Sequence, residues 1–314
     1  MGLIPLRSNH SLAEWMSVFE DSVSLSALSI PGTHNSAAHY LSFPSVRCQR
    51  ASIKKQLDNG IRFLDLRLSK PYTTLCTSFG NDLQVVHGAF PVALLHPVKL
   101  SRVLNIVFDF LSAHPRETII VSLKNEGPFS WAPNELSAML WDGYIQQAQH
   151  KWFLEPRIPQ LGEARGRAIL FRRFGCPDDK RDTFGFPATS WRYNTTGEDT
   201  VNGQLLAVQD FCELPTSNAI KEKALYVELH MMRASQMSSN TLFVNFTTAA
   251  NFWNPYCWPK DVAKAVRSGI DDALKKTRGK CGILVMDFPD NDDWVIVQNV
   301  VARNNILSRN ASDV

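Results

Sequence analysis

TIIVSLKNE, residues 118–126, sets a near-continuous run of β-branched and aliphatic side chains against three polar residues, Lys124, Asn125 and Glu126. Apolar residues on successive positions, without alternation, belong to a strand covered on both faces, the condition of a parallel sheet or barrel. The same pattern recurs at 26–30, 63–68, 83–86, 168–171, 206–209, 241–245 and 282–286. Helical spacing fits 53–59, 99–113, 133–147, 218–230, 262–276 and 294–304 between these runs. Eight strands alternating with helices predict an α/β chain folded as a (β/α)8 barrel. The segment 69–82 carries Pro, Thr, Ser and Gly in place of a helical pattern, so the expected architecture is an irregular, distorted TIM (β/α)8 barrel. No internal repeat or low-complexity linker divides the chain. The expected organisation is one barrel domain at 26–305, an N-terminal helical extension at 1–25 and a C-terminal tail at 306–314.

Composition excludes several classes. The chain has 314 residues, 44% of them hydrophobic, enough to bury a large core and unlike a disordered or collagenous chain. Thirty-three Lys and Arg stand against 30 Asp and Glu, a net charge of +3 without the basic runs of a nucleic-acid arm, so no nucleic-acid partner is expected. No apolar stretch reaches the length of a membrane span, which leaves peripheral contact. Arg7, His10 and Glu14 interrupt the N-terminal apolar residues, unlike a signal peptide, and Leu6 stands where a myristoylation motif requires Ser or Thr. The expected location is cytoplasmic, or secreted after removal of a leader; the sequons at Asn194, Asn245 and Asn310 keep secretion open. Cysteines at 48, 76, 176, 212, 257 and 281 contain no C-x-x-C pair, which argues against a zinc site and a dense disulfide scaffold and for free, buried thiols.

The residues at and just beyond each strand end carry the chemistry. The first run leads into Pro31-Gly32-Thr33-His34-Asn35-Ser36, the second carries Asp65 and Arg67, and the third ends at His87-Gly88. The fourth ends in Lys124-Asn125-Glu126, the fifth in Arg172-Arg173, the sixth in Asp210 and the eighth in Asp287. Strand C-termini of a barrel open on one face, where such enzymes hold their active sites. A strand leaving the core ends in polar residues anyway, but two histidines with several basic groups and carboxylates form a chemically coherent set. Two imidazoles serve as base and acid, a carboxylate such as Asp287 orients one of them, and Arg67 offers a planar fork to phosphate oxygens. This set fits phosphoryl transfer without metal. His39, His96, His114, His150 and His230 lack comparable context and read as ordinary histidines.

In order along the chain, SIPGTHNS (29–36), GIRFLDLRL (60–68), VVHG (85–88), VSLKNE (121–126), ARGRAILFRRF (164–174), VQD (208–210), VNFT (244–247) and VMDF (285–288) resemble the bacterial-type phosphatidylinositol-specific phospholipases C, whose catalytic domain is called the X domain. The resemblance implies a phosphorus–oxygen lyase acting on phosphatidylinositol or its glycosylated derivatives. By this resemblance His34 is the base for the inositol 2-hydroxyl, held by Asp287. His87 is the acid for the diacylglycerol oxygen, Arg67 steadies the phosphate, and inositol cyclic 1,2-phosphate is the first product. Lys124, Arg173 and Asp210 match positions that hydrogen-bond inositol hydroxyls. Arg67 and Lys124 also occupy places where calcium-dependent relatives supply carboxylates, so no metal or other cofactor is expected.

Two positions depart from the family. Asn35 stands where the bacterial enzymes have an Asp that couples the phosphate-binding Arg to the acid; Asn is also a ligand there in the calcium-dependent branch, which keeps a metal alternative open. Cys212, with Phe211 beside it, stands where the family places a Tyr that stacks on inositol. The expected partners are an inositol phospholipid substrate and a membrane surface, touched through rim aromatics at 40–43, 184–186 or 253–258; the chain is expected to be a monomer. The alternatives are a catalytically weak or inactive inositol-lipid or phosphate-binding module, and a metal-dependent glycerophosphodiesterase-like enzyme.

Overall fold

The computed structural model describes residues 11–71, 82–189, 191–200, 205–237 and 240–304. Its strands are β1 (Ile30–Thr33), β2 (Phe63–Ser69), β3 (Gln84–His87), β4 (Phe90–Pro91), β5 (Ile119–Asn125), β6 (Trp152–Phe153), β7 (Ala168–Arg173), β8 (Phe186–Pro187), β9 (Leu206–Gln209), β10 (Leu242–Phe246) and β11 (Ile283–Met286). The α-helices are α1 (Ile53–Asp58), α2 (Leu100–Ala113), α3 (Glu135–Leu140), α4 (Leu161–Ala164), α5 (Ala219–Gln236), α6 (Pro259–Lys276) and α7 (Val295–Ala302). The expected extension at 1–10, the tail at 306–314, Cys76, the sequon at Asn310 and most of the segment 69–82 lie outside the described residues. Within the described part of the expected N-terminal helical extension, Leu12–Val18 forms a 3-10 helix. No helix of the described residues is long and apolar enough to cross a membrane.

The strands form one curled, mostly parallel sheet in the order β6-β7-β5-β2-β1-β11-β10-β9, a distorted and incompletely closed barrel. Two expectations need correction. The run at 26–30 is not the first strand: Leu25–Ala27 is a 3-10 turn, and the strand begins at Ile30 and includes Pro31-Gly32. Gly32 is required there, because a Cβ on it would stand 2.9 Å from the Cβ of Phe63 on the neighbouring strand. The run at 83–86 is not a parallel barrel strand either. β3 lies antiparallel to β2, with Leu68 opposite Val85, and turns tightly through Gly88, φ +57°, into β4.

The barrel does not close. Among the described residues no ladder joins β9 to β7 or β8; instead Glu198 exchanges both backbone hydrogen bonds with Val208, at 2.8 and 2.7 Å, and covers the outer edge of β9. Helices pack outside the sheet. α6 illustrates the rule, burying Val262, Val266, Ile270 and Ala273 along one stripe.

At the end of the barrel away from the site, the guanidinium of Arg62 is fully buried. It donates to Glu117 Oε2 at 2.8 Å and to the carbonyls of Leu57, Ile61 and Ala13, and lies 4.7 Å from the Phe110 ring centroid. This pair fastens residues 12–19 to the ends of β2 and β5.

Candidate active site

Strand register alone brings the polar strand ends together. β1 and β11 run parallel with Thr33 opposite Met286, so the next residues, His34 and Asp287, emerge side by side. His34 N–H donates to Met286 O at 3.0 Å, and Gln49 Nε2 donates to the carbonyls of His34 (2.7 Å) and Met286 (3.0 Å), which staples the two strand ends. His34 Nδ1 lies 2.9 Å from Asp287 Oδ1. On its other side His34 Nε2 lies 3.1 Å from Asn35 Nδ2. With the amide nitrogen facing it, Nε2 is the acceptor and carries the lone pair, while Nδ1–H donates to Asp287. Burial pushes His34 well below the usual imidazole value, and the positive charge of Arg67 adds to this. Burial also pushes Asp287 well up, opposed by Arg67.

His87 reaches the same cavity from the β3–β4 hairpin. Its Nδ1 donates to Val46 O at 2.8 Å, which leaves Nε2 for the cavity. Its ring centroid is 5.6 Å from that of His34, with the rings nearly perpendicular. Burial, then Arg67, lowers the pKa of His87, against the opposing pull of Glu126. Burial lowers both imidazoles, and their ring partners set them apart: His34 Nδ1 faces a carboxylate and His87 Nδ1 a backbone carbonyl.

A cationic row comes from three adjacent strands in register: Arg67 on β2 lies opposite Lys124 on β5, and Lys124 opposite Arg173 on β7. Two carboxylates position this row. Buried Asp65 accepts from Arg67 Nε and Arg173 Nη1, each at 3.3 Å. Glu126 Oε1 accepts from Arg67 Nη1 at 2.8 Å and Lys124 Nζ at 3.0 Å, and its Oε2 accepts from Gly88 N–H at 2.8 Å. Glu126 therefore ties the hairpin carrying His87 to the arginine. Burial works to raise the Glu126 pKa, but Arg67 and Lys124 outweigh it and hold the carboxyl at about 2. Glu126 and Asp65 in turn raise Arg67 above its ordinary value in spite of burial.

The cavity has a volume of about 390 Å³ and is lined by the histidines, Asp287, the cationic row, Trp191, Tyr193, Asp210 and Cys212. The Arg173 guanidinium lies 4.0 Å from the Trp191 ring centroid, and Asp210 Oδ2 takes both Trp191 Nε1 (3.3 Å) and Arg173 Nη2 (3.7 Å). Tyr193 donates its phenol to Glu213 Oε1 at 2.6 Å. Asn194 Oδ1 accepts from the N–H groups of Cys212 and Glu213, at 2.8 and 3.0 Å, and so fixes this loop against the end of β9.

His34, His87, Arg67, Asp287, Lys124, Arg173 and Asp210 thus meet in one cavity. Asn35 Nδ2 lies against His34 Nε2, a different partner from the arginine and acid that the family resemblance assigns to this position. Phe211 is turned away: its ring packs on Tyr226 of α5 at 5.3 Å and is not part of the cavity wall. Sequence reasoning did not single out Gln49, Trp191, Tyr193 and Glu213, and read Asp65 and Glu126 only as charged strand ends. Cys48, Cys176, Cys212, Cys257 and Cys281 are free thiols. His39 is half-buried and His230 buried, and burial brings each pKa down to about 4.

Around the mouth, aromatic rings from two loops and strand β4 form a chain: Phe43 on Phe90 at 5.9 Å, Phe90 stacked on Phe252 at 5.0 Å, and Phe252 against Trp253 at 4.9 Å. Trp253 is 87% exposed and Tyr256 77%, as are Leu95 (77%) and Leu41 (64%). Two of the three expected rim segments, 40–43 and 253–258, are here. The third, 184–186, is not: Phe184 and Phe186 are buried, packed on Trp141, Phe174 and Phe171.

Residues 24–174 match the family described as "Phosphatidylinositol-specific phospholipase C, X domain". Two curated relatives, each called 1-phosphatidylinositol phosphodiesterase, are 26% identical: that of Listeria monocytogenes serovar 1/2a covers 96% of this chain and 87% of its own length, and that of Staphylococcus aureus strain Newman 92% and 93%. Among solved structures, a phosphatidylinositol-specific phospholipase C of S. aureus, studied for its membrane binding, superposes with a TM-score of 0.78 at 24% identity, over 93% of this chain and 97% of that one. The phosphatidylinositol-specific phospholipase C of L. monocytogenes superposes with a TM-score of 0.70 at 25% identity, over 94% and 99%.

Proposed function

This chain belongs to the phosphatidylinositol-specific phospholipase C X-domain family, and from that premise we propose that it is a phosphodiesterase cleaving phosphatidylinositol-type lipids by attack of the inositol 2-hydroxyl on its own phosphate. The observation that carries the reading is the pair of perpendicular imidazoles 5.6 Å apart on one cavity wall, His34 bonded to a carboxylate and His87 to a carbonyl. Identical partners would make the two rings equivalent; these partners give them opposite tasks.

His34 Nε2 takes the proton of the 2-hydroxyl once that hydroxyl displaces the Asn35 amide, and Asp287 stabilises the imidazolium through Nδ1–H. The 2-oxygen forms a bond to phosphorus while the bond from phosphorus to the diacylglycerol oxygen breaks, so the nucleophile and the reacting centre belong to one molecule. His87, protonated at Nε2, gives its proton to the departing oxygen, and the products are inositol cyclic 1,2-phosphate and diacylglycerol. Arg67, aimed by Glu126 and Asp65, meets the charge that grows on the phosphate oxygens. Lys124, Arg173 and Asp210 bind the ring hydroxyls, with Trp191 and Tyr193 as the apolar wall. The exposed residues Leu41, Leu95, Trp253 and Tyr256 seat the cavity mouth on a membrane as a peripheral contact of a monomer.

An inert lipid-binding module would have no use for an acid and base pair of this order. A metal-dependent glycerophosphodiesterase needs free carboxylates for its ion, whereas Asp65 and Glu126 are both engaged by cations. The deciding experiment monitors phosphatidylinositol by phosphorus NMR in excess chelator. Cyclic phosphate is expected from the native protein and about 10²–10⁴-fold more slowly from His34→Ala or His87→Ala. Loss of activity on chelation would overturn the metal-free mechanism. Equal turnover by the native protein and His34→Ala would overturn the assignment of the base.

A further inference from the structure

Cys48 lies fully buried beneath the two histidines, and the reaction above gives it no task. An ordinary core thiol is ringed by hydrocarbon. This one has its Sγ 3.6 Å from His87 Nδ1 and 4.0 Å from Asn35 Nδ2. Ligand atoms of His34, Cys48 and Asp287 all lie within 4.8 Å of one another. An imidazole nitrogen, a sulfur and a carboxylate oxygen are the donor set of a soft or borderline divalent cation, and zinc takes such donors at about 2.0–2.3 Å in a tetrahedron. Donors on that tetrahedron stand about 3.3–3.6 Å apart, so the 2.9 Å between His34 Nδ1 and Asp287 Oδ1 opens slightly and a pair near the 4.8 Å bound closes by about an ångström when the ion binds. The absence of a C-x-x-C pair argued against zinc, but the fold assembles the donors from three separate strand ends and loops.

We propose that His34, Cys48 and Asp287 form a Zn²⁺ site, with a water from the cavity as fourth ligand, whose occupation reversibly shuts off the enzyme. The inhibitory half of the proposal rests on His34 being the base. Zinc bonds to His34 Nδ1, the proton displaced from Nδ1 moves to Nε2, and the thiol of Cys48 releases its proton to solvent as sulfur binds the metal. A neutral imidazole metallated at Nδ1 and protonated at Nε2 has no lone pair for the 2-hydroxyl. Asp287 is taken up by the ion at the same time. Ca²⁺ and Mg²⁺ require several oxygen ligands and find one carboxylate here, so they do not inhibit.

The test titrates Co²⁺, then Zn²⁺, into the metal-free protein and monitors the thiolate-to-cobalt charge-transfer absorption, with turnover of micellar phosphatidylinositol measured in parallel. The native protein should give the absorption with one equivalent of cobalt and lose it to zinc. Zinc should stop its turnover, and chelator should restore it. Losing even an outer partner of a ligand costs about 10–100-fold in metal affinity, so Cys48→Ser should lose the absorption and need about a hundredfold more zinc for half-inhibition, relative to its own metal-free turnover. If Cys48→Ser fails to fold, Cys48→Ala and His34→Ala carry the binding arm: the first should abolish the absorption, the second weaken cobalt binding about a hundredfold. No thiolate absorption in the native protein, or absorption that persists without Cys48, overturns the site. Absorption that depends on Cys48 while turnover continues overturns the inhibition alone; the role of His34 as base stands or falls separately, on the metal-free turnover of His34→Ala.

Discussion

Replacing Asn35 by Asp tests the tuning of the base directly. The amide stands 3.1 Å from His34 Nε2, the atom we propose takes the substrate proton. A carboxylate there favours the imidazolium, so it raises the pKa of His34. That pKa lies well below the usual value in the native protein, through burial and the charge of Arg67. An opposite charge at this range moves a pKa by about 1–3 units, and two units correspond to about 2.7 kcal/mol.

The base works only unprotonated, so the acid limb of kcat/KM should move to higher pH by about 1–3 units. Between the native limb and the new one, kcat/KM should fall by about 10–1000-fold; above both limbs the variant should approach the native rate. The assay is kcat/KM on a soluble inositol phosphodiester between about pH 4.5 and 8.5. An acid limb that stays in place while the basic limb shifts would refute the reasoning, because residue 35 would then be acting on the acid, His87.

The same geometry yields three further outcomes. Arg67→Lys keeps the charge but loses the fork aimed by Glu126, and should lower kcat by about 10²–10³ with little change in KM; a loss under about tenfold would mean that Arg67 only binds. Trp253→Ala combined with Tyr256→Ala removes two exposed rim rings, each contributing about 1.5–3 kcal/mol when fully inserted. Sedimentation with phosphatidylinositol vesicles should show binding weakened by at least about tenfold, while kcat/KM on the soluble diester holds. Glu117→Ala leaves the buried Arg62 charge without its carboxylate and should destabilise the fold by about 3–5 kcal/mol, read as a lower urea midpoint at unchanged m-value; an unshifted midpoint would mean that the carbonyls around Arg62 satisfy it alone.

The parallel strands were legible because burial on both faces writes an uninterrupted apolar run, and 63–68, 118–123, 168–171, 206–209, 241–245 and 282–286 all become parallel strands with small shifts at their ends. A run carries no sign of direction, so 83–86 was read as parallel when it folds back on β2. Pro31-Gly32 reads locally as a turn, yet both lie within β1, where Pro31 O accepts from Arg62 N–H and Gly32 makes room for Phe63. The site residues at strand ends were legible for the same reason as the strands. Asp65 and Glu126 as props for Arg67 were not, since that depends on which strands neighbour β2. Trp191 and Tyr193 sit on a loop without periodicity, and aromatic content could not separate buried Phe184 and Phe186 from exposed Trp253.

The loop that carries Trp191 and Tyr193 also provides Glu198, the cap on the bare edge of β9. On the proposed mechanism, head-group selection and protection against unwanted strand pairing therefore share one loop, while His34 and His87 hang on ladders that do not pass through it. A lineage, or a library, can exchange 188–200 to seek new substrates without disturbing the two histidines. It is free to do so only among sequences that still cover Val208. Exchanges that uncover it leave a strand open to other chains, so in selection for altered specificity the first failures would appear as loss of solubility, with catalysis intact in whatever protein stays in solution.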